Sequence, residues 1–285
     1  MASFSRAAQQ LCVTQAAVSR AVQRLEQQLE CQLFERTAGG VISTAHGRSF
    51  RALIESHVTG LEAATSAFEA QNRTNKASKH VLRVSVVTTL GTRWLMPRLP
   101  KFQQENPNIK IELRQYHPDE NFSRTDVDMW IDVKRLTEWP RGYRAEYLLG
   151  KEISPACTPT IAARLNSVQD ILKETLLYHI DFPKNWETWL RGVGVPNAAP
   201  ALGTGLDLGS NLIVAASAGM GVIVLQPCLM ENELKTGELV MPFKQLVSIN
   251  RGYYACYSAA LAENASIRRF VAWLHQQAKA SGLIK

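Results

Sequence analysis

The chain has 285 residues, enough for two domains that each bury a core of their own. It carries 32 Lys and Arg against 25 Asp and Glu, and the net charge of +7 suits a polyanionic partner as well as it suits plain solubility. Its five cysteines (Cys12, Cys31, Cys157, Cys228, Cys256) form no C-x-x-C pair or zinc-spaced cluster, no segment is apolar for the length of a bilayer, and "MASFSRAAQQ" lacks a signal peptide's apolar run, so a cytoplasmic globular protein with reduced thiols is expected, without metal or membrane partner.

The first stretch is short and helical. Ser3 or Ser5 suits the cap of a helix containing Ala7, Ala8 and Leu11. After a turn at Cys12-Val13, Thr14 stands where an N-cap belongs, and Val13 and Val18 have the spacing of a hydrophobic staple. In "CVTQAAVSRAVQRLEQQL" the apolar residues Val18, Val22, Leu25 and Leu29 make one helical face. The opposite face holds Ala16, Ser19, Arg20, Gln23 and Gln27, with one charge among short hydrogen-bonding groups. Two short helices joined by a tight turn predict a helix-turn-helix. Leu33-Phe34 and Val41-Ile42 around Gly39-Gly40 then predict a small hairpin, or wing.

Thr44 begins a long helix, in which Ile54, Val58, Leu61, Thr65 and Phe68 follow a 4-3-4-3 spacing. That seam suits a dimer contact, or a single helix lying on its own domain. The polar stretch 71–80, "QNRTNKASKH", reads as a linker. From Val81 the pattern alternates strand and helix: "VLRVSVV", "FQQENPNIKIEL" and "VDMWIDV" predict an α/β domain with a mainly parallel sheet. A second unit begins near Ser154-Pro155 and contains "NLIVAASAGMGVIVLQP", a helix, a glycine break and a strand. The chain crosses back near Tyr253, and "SIRRFVAWL" closes it as an amphipathic helix.

These residues resemble the LysR-type transcriptional regulators. Over residues 3–50 the similarity rests on Ala-Ala-x-x-Leu, Thr-Gln-x-Ala-Val-Ser and Leu-Phe-x-Arg in fixed order and distance, which is a specific pattern. A weaker likeness continues through "WLMPRL", "DMWIDV", "ISPACTP", "WETWL" and "AGMGVIVL", and "WLMPRL", "WETWL" and "FVAWL" look most like the branch that holds the glycine-cleavage and β-lactamase regulators. The resemblance implies a winged helix-turn-helix over 1–50, a linker and dimerisation helix with hinge over 51–80, and a two-lobed α/β effector domain like a periplasmic solute-binding protein over 81–285. Lobe I is expected at 81–154 and 254–285, lobe II at 155–253. It further implies a homodimer through the linker helix, with tetramers frequent in the family. The family also has a helix before the equivalent of Ser3. The expectation is that this helix was lost by a misplaced start or by a real truncation, leaving residues 3–30 loose and operator binding weak.

Reading double-stranded operator DNA takes phosphate contacts for position and base-edge contacts for sequence. The N-terminal end of a helix reaches deepest into the major groove. Gln15, Ala16, Ser19, Arg20 and Gln23 occupy that part of the second helix. Gln15 can pair with adenine, Arg20 with guanine or a phosphate, and Ala16 can touch a thymine methyl. Thr14 and the free amides beside it suit a phosphate, and Arg36 resembles the family's phosphate-contacting arginine. Taken singly, each is also an ordinary polar surface residue.

In open α/β folds, ligands gather at the carboxyl ends of strands, near helix N-termini. Thr88, Thr89, Asp132 and Ser210 stand at such places and Tyr254 where the chain recrosses, and the resemblance puts them along the cleft between lobes, where Thr89, Ser210 and Tyr254 match positions this branch uses for small ligands. The paired hydroxyls favour an anionic, carboxylate-bearing effector. Thr88 and Thr89 suit simple helix capping as well, and Asp132 suits a surface ion pair with Lys134 or Arg135.

Cys157 lacks a histidine partner for nucleophilic chemistry and reads as a structural thiol. "GTGLDLG" lacks the Lys-Ser/Thr of a phosphate loop, and the dinucleotide pattern is absent, so no cofactor is expected. The leading expectation is a DNA-binding regulator switched by a small molecule. The alternative is a solute-sensing or mixed-dimer module of the same family that no longer binds DNA well. An enzyme is disfavoured by the lack of any acid–base or nucleophile constellation.

Overall fold

The structure, a computed structural model, describes residues 4–281 apart from 12, 38–39, 75–79, 118–121, 123, 136–138 and 197. The chain divides into two compact units, residues 1–62 and 63–285.

In the first unit, α1 (Phe4–Gln10) and α2 (Gln15–Leu29) are joined by a turn and followed by strands β1 (Phe34–Thr37) and β2 (Gly40–Ser43). Thr14 caps α2 in extended conformation (φ −77°, ψ 150°), and its hydroxyl accepts the Ala17 amide at 3.2 Å, as the sequence predicts. The antiparallel register Phe34↔Ser43 through Thr37↔Gly40 makes the wing. Val13 remains 48 % exposed and Leu11 67 %, so neither helps to close the core. No α2 residue is fully buried. Ala8 and Leu33 are the buried apolar residues among the described part of this unit.

α3 (Ala45–Thr74) continues beyond its apolar seam. The polar residues 71–74, read as linker, are the last turn of this helix. Gln and Arg are good helix formers, and polarity reports exposure rather than conformation. Leu53 (69 %), Val58 (47 %) and Leu61 (70 %) are exposed, and the Phe68 side chain lies outside the described residues.

The second unit contains two lobes. The first is a five-stranded sheet in the order β4 (Ile109–Arg114), β3 (His80–Val86), β5 (Met129–Lys134), β12 (Gly252–Ser258), β6 (Tyr143–Leu149). β3 runs parallel to β4 and β5, whereas β12 runs antiparallel to β5 and β6. The sheet is therefore mixed rather than mainly parallel, because β12 re-enters from the second lobe in the opposite sense. Along β5, Met129 and Ile131 face a core completed by Phe102 of α4 (Leu99–Glu105) and by Phe270 and Leu274 of α7 (Ala265–Ala280). The period-2 alternation of a strand sends Trp130 and Asp132 to the other face, where Trp130 packs with Phe122, Val127 and Cys256.

The second lobe holds β7 (Glu152–Ala156) between β10 (Ile223–Leu225) and β11 (Val247–Ser248), beside the parallel pair β8 (Leu176–His179) and β9 (Leu202–Leu206). Trp186, Trp189 and Leu190 of α5 (Asn185–Gly192) pack on it with Ile153 and Ile171. α6 (Gly209–Ser217) follows β9. β6 is followed after two residues by β7, and β11 after three residues by β12, so two short segments join the sheets. Among the described residues no helix is long and apolar enough to cross a membrane.

Candidate functional site

On the first unit, Gln15, Ala16, Arg20 and Gln23 are exposed and Ser19 is half-buried. They occupy one side of α2, just after the Thr14 cap. The Gln15 carboxamide oxygen accepts the Ser5 hydroxyl at 3.2 Å, which ties the start of α2 to α1. Arg36 stands on β1 opposite Val41; its side chain lies outside the described residues.

On the second unit, β3 ends against β5 through the Val87 amide, which donates to the Ile131 carbonyl at 3.0 Å. That bond fixes the backbone one residue before Thr88 against β5. Neither threonine caps the helical turn it opens: the capping position is Val87, with no side-chain bond. Thr88 is exposed. Thr89 is 7 % exposed, and its hydroxyl accepts the Ser210 amide from the other lobe at 3.3 Å. The fit is close, since a Cβ on Gly209 would lie 3.1 Å from Thr89 Cγ2.

Asp132 is 5 % exposed, so it is not a surface carboxylate. Its Oδ1 accepts the Tyr116 hydroxyl at 2.9 Å and the Val133 amide at 2.7 Å, and Lys134 Nζ lies 3.4 Å from Oδ2. Tyr254 pairs with Asp132 across β12 and β5. Its ring packs between Trp139 and Tyr147, with centroids 5.6 and 5.5 Å away, and burial raises the pKa of its phenol. Lys151 Nζ sits 4.0 Å from the Tyr147 ring centroid. Asp132, Tyr254 and Tyr147 thus form one row across the sheet.

Sequence reasoning missed the ties between lobes. Arg93 donates to the Glu233 carboxylate and, through Nε, to the Leu229 carbonyl at 3.2 Å. Arg98 Nη2 reaches Glu231 Oε2 at 2.5 Å, with its guanidinium 4.9 Å from the Trp94 ring centroid. Burial pushes the Glu233 carboxyl upward, but the hydrogen bond and charge of Arg93, together with bonds from backbone and Asn232, outweigh it and hold the group below its ordinary value. At the second crossing, Arg251 Nη2 donates to Asn185 Oδ1 at 2.6 Å and the guanidinium lies 4.0 Å from the Phe182 ring. Cys157 is fully buried, and burial pushes its thiol up to about 11, consistent with an inert structural cysteine.

Residues 1–48 match the family model "Bacterial regulatory helix-turn-helix protein, lysR family", and residues 75–279 match "LysR substrate binding domain". The chain is 32 % identical over 282 residues to the glycine cleavage system transcriptional activator of Escherichia coli (strain K12), covering 98 % of this chain and 90 % of that protein. It is 33 % identical over 275 residues to the HTH-type transcriptional activator AmpR of Rhodobacter capsulatus, covering 96 % and 92 %. Among solved structures, the effector domain of the transcriptional regulator AmpR of Pseudomonas aeruginosa superposes with a TM-score of 0.61 at 27 % identity, over 71 % of this chain and 96 % of that one. CrgA, a LysR-type transcriptional regulator from Neisseria meningitidis, shares the fold over 96 % of this chain and 93 % of its own, with a TM-score of 0.57 at 23 % identity. The curated relatives named here are transcription regulators, not enzymes.

Proposed function

This chain belongs to the LysR family of bacterial helix-turn-helix transcription regulators, and from that premise we propose how its own residues bind operator DNA and a small effector. The DNA-binding unit spans 1–50, the linker 51–80 and the effector unit 81–285. α2 enters the major groove of a duplex. Gln15, Ala16, Ser19, Arg20 and Gln23 meet base edges there, while Thr14 and Arg36 hold phosphates. The observation that carries this reading is the exposed polar side of α2, which begins directly after a capped helix N-terminus. The exposed Leu53 and Val58 support a homodimer through α3, with pairs of dimers making a tetramer in the cytoplasm.

The effector is a small carboxylate-bearing molecule, held between the lobes by Thr88, Thr89, Asp132, Ser210 and Tyr254. Support comes from the start of α6, where the positive end of the helix dipole favours an anion. The test is a metabolite library screened by melting temperature, since a ligand of the folded form must raise it. Hits on the parent that fail on Thr89→Val support the site; hits that survive place the pocket elsewhere.

A second reading, a sensing or mixed-dimer module with weakened DNA binding, draws on one observation: α2 buries none of its residues fully. A gel shift with the full chain separates the two readings.

A further inference from the structure

One carboxylate joins α2 to the wing. Glu26 Oε1 accepts two successive backbone amides, Leu33 N–H at 2.7 Å and Phe34 N–H at 3.0 Å. Phe34 is the first residue of β1. Leu33 is 3 % exposed, so its amide has little recourse to water and needs a protein acceptor. Both bonds are charge-assisted, which makes them stronger than neutral pairs. The same stretch is also held from Thr44, whose hydroxyl donates to the Gln32 carbonyl at 2.7 Å and whose amide donates to the Leu33 carbonyl at 3.0 Å. The wing root is thus gripped both by α2 and by the residue before α3.

We propose that Glu26 is a positioning residue for DNA recognition, fixing the wing to the recognition helix so that base-edge and phosphate contacts arrive as one rigid body. The inference rests on the DNA-binding reading of α2 and the wing given above. Glu26 stands six residues after Arg20, about 9 Å further along the helix. Arg36 follows Phe34 by two residues, about 6–7 Å along β1. The Glu26 bonds therefore lie between the two contacts and set the span from the base-reading end of α2 to the wing. Pre-organising that span removes an ordering cost that a loose wing would meet at the moment of binding.

The experiment uses the full chain and a duplex that the parent chain selects from a random pool. Parent, Glu26→Gln and Glu26→Ala are compared by phosphate-ethylation interference, guanine-methylation interference and affinity. Hydrogen exchange reads the Leu33 and Phe34 amides directly. Glu26→Gln keeps an acceptor oxygen without the charge, so affinity should stay within about threefold, whereas Glu26→Ala should lose about tenfold. In Glu26→Ala, interference at the wing phosphates should fade while the guanine pattern persists. A purely structural role would move both patterns together. An unchanged wing pattern in Glu26→Ala, or parallel loss of both patterns in Glu26→Gln, overturns the proposal. So does rapid exchange of the Leu33 and Phe34 amides in the parent. A parent chain that selects no duplex counts against the DNA-binding reading, and amide protection then still decides whether the clamp exists.

Discussion

The Thr89 hydroxyl accepts a hydrogen bond from the Ser210 amide, 3.3 Å away and on the opposite lobe. The two residues are 121 positions apart in sequence, and the bond ties the turn after β3 to the start of α6. Thr89→Val keeps the shape and removes the acceptor. The effector unit should lose about 1 kcal/mol, the usual net worth of such a bond, read as a lower urea midpoint with unchanged slope.

The ion pair between Arg93 and Glu233 makes stability depend on pH. Because Arg93 lowers the Glu233 carboxyl in the folded chain, its contribution is fully present above the ordinary glutamate value of 4.5 and is lost as pH falls through the lower folded value. Glu233→Gln should cost roughly 1–3 kcal/mol at neutral pH and less in acid, so the two stability curves converge below pH 4.5. Parallel curves would refute the assignment.

Much of this architecture is legible in the sequence because it is local. The Thr14 cap, the paired strands of the wing, the helix–glycine–strand of 209–225 and the closing α7 each depend on neighbours within a few residues. The ties between lobes are not legible. Arg93 and Glu233 are 140 residues apart, and nothing in either local pattern names the other. The same holds for Trp139 and Tyr147, which flank Tyr254 only because β12 returns between β5 and β6. Asp132 followed by Lys134 reads as a surface pair because spacing carries no information on the loop whose Tyr116 helps to cover it.

Gly47 shows the packing at the wing root. A Cβ there would lie 2.1 Å from the Leu33 carbonyl oxygen, a backbone atom that cannot swing aside. Gly47→Ala should destabilise the first unit by about 1–3 kcal/mol, the range for overpacking. It should also weaken protection of the Leu33 amide in hydrogen exchange.

Burial differs sharply between the units. α2 has no fully buried residue, whereas Met129 and Ile131 on β5 are 0 % exposed. Amides of α2 should therefore exchange through low-energy local opening, and those of β5 near the global limit. Equal protection of both segments would contradict this.

The most direct test of the central claim is operator affinity measured across a salt series for the parent, Arg20→Ala and Arg36→Ala, on selected and scrambled duplexes. Arg20→Ala should lose roughly 1–3 kcal/mol on the selected duplex and little on the scrambled one, because it reads a base. Arg36→Ala should weaken both duplexes alike and reduce the salt slope by about one, because it neutralises a phosphate. If both variants bind both duplexes as the parent does at every salt concentration, α2 and the wing are not the DNA-reading surface.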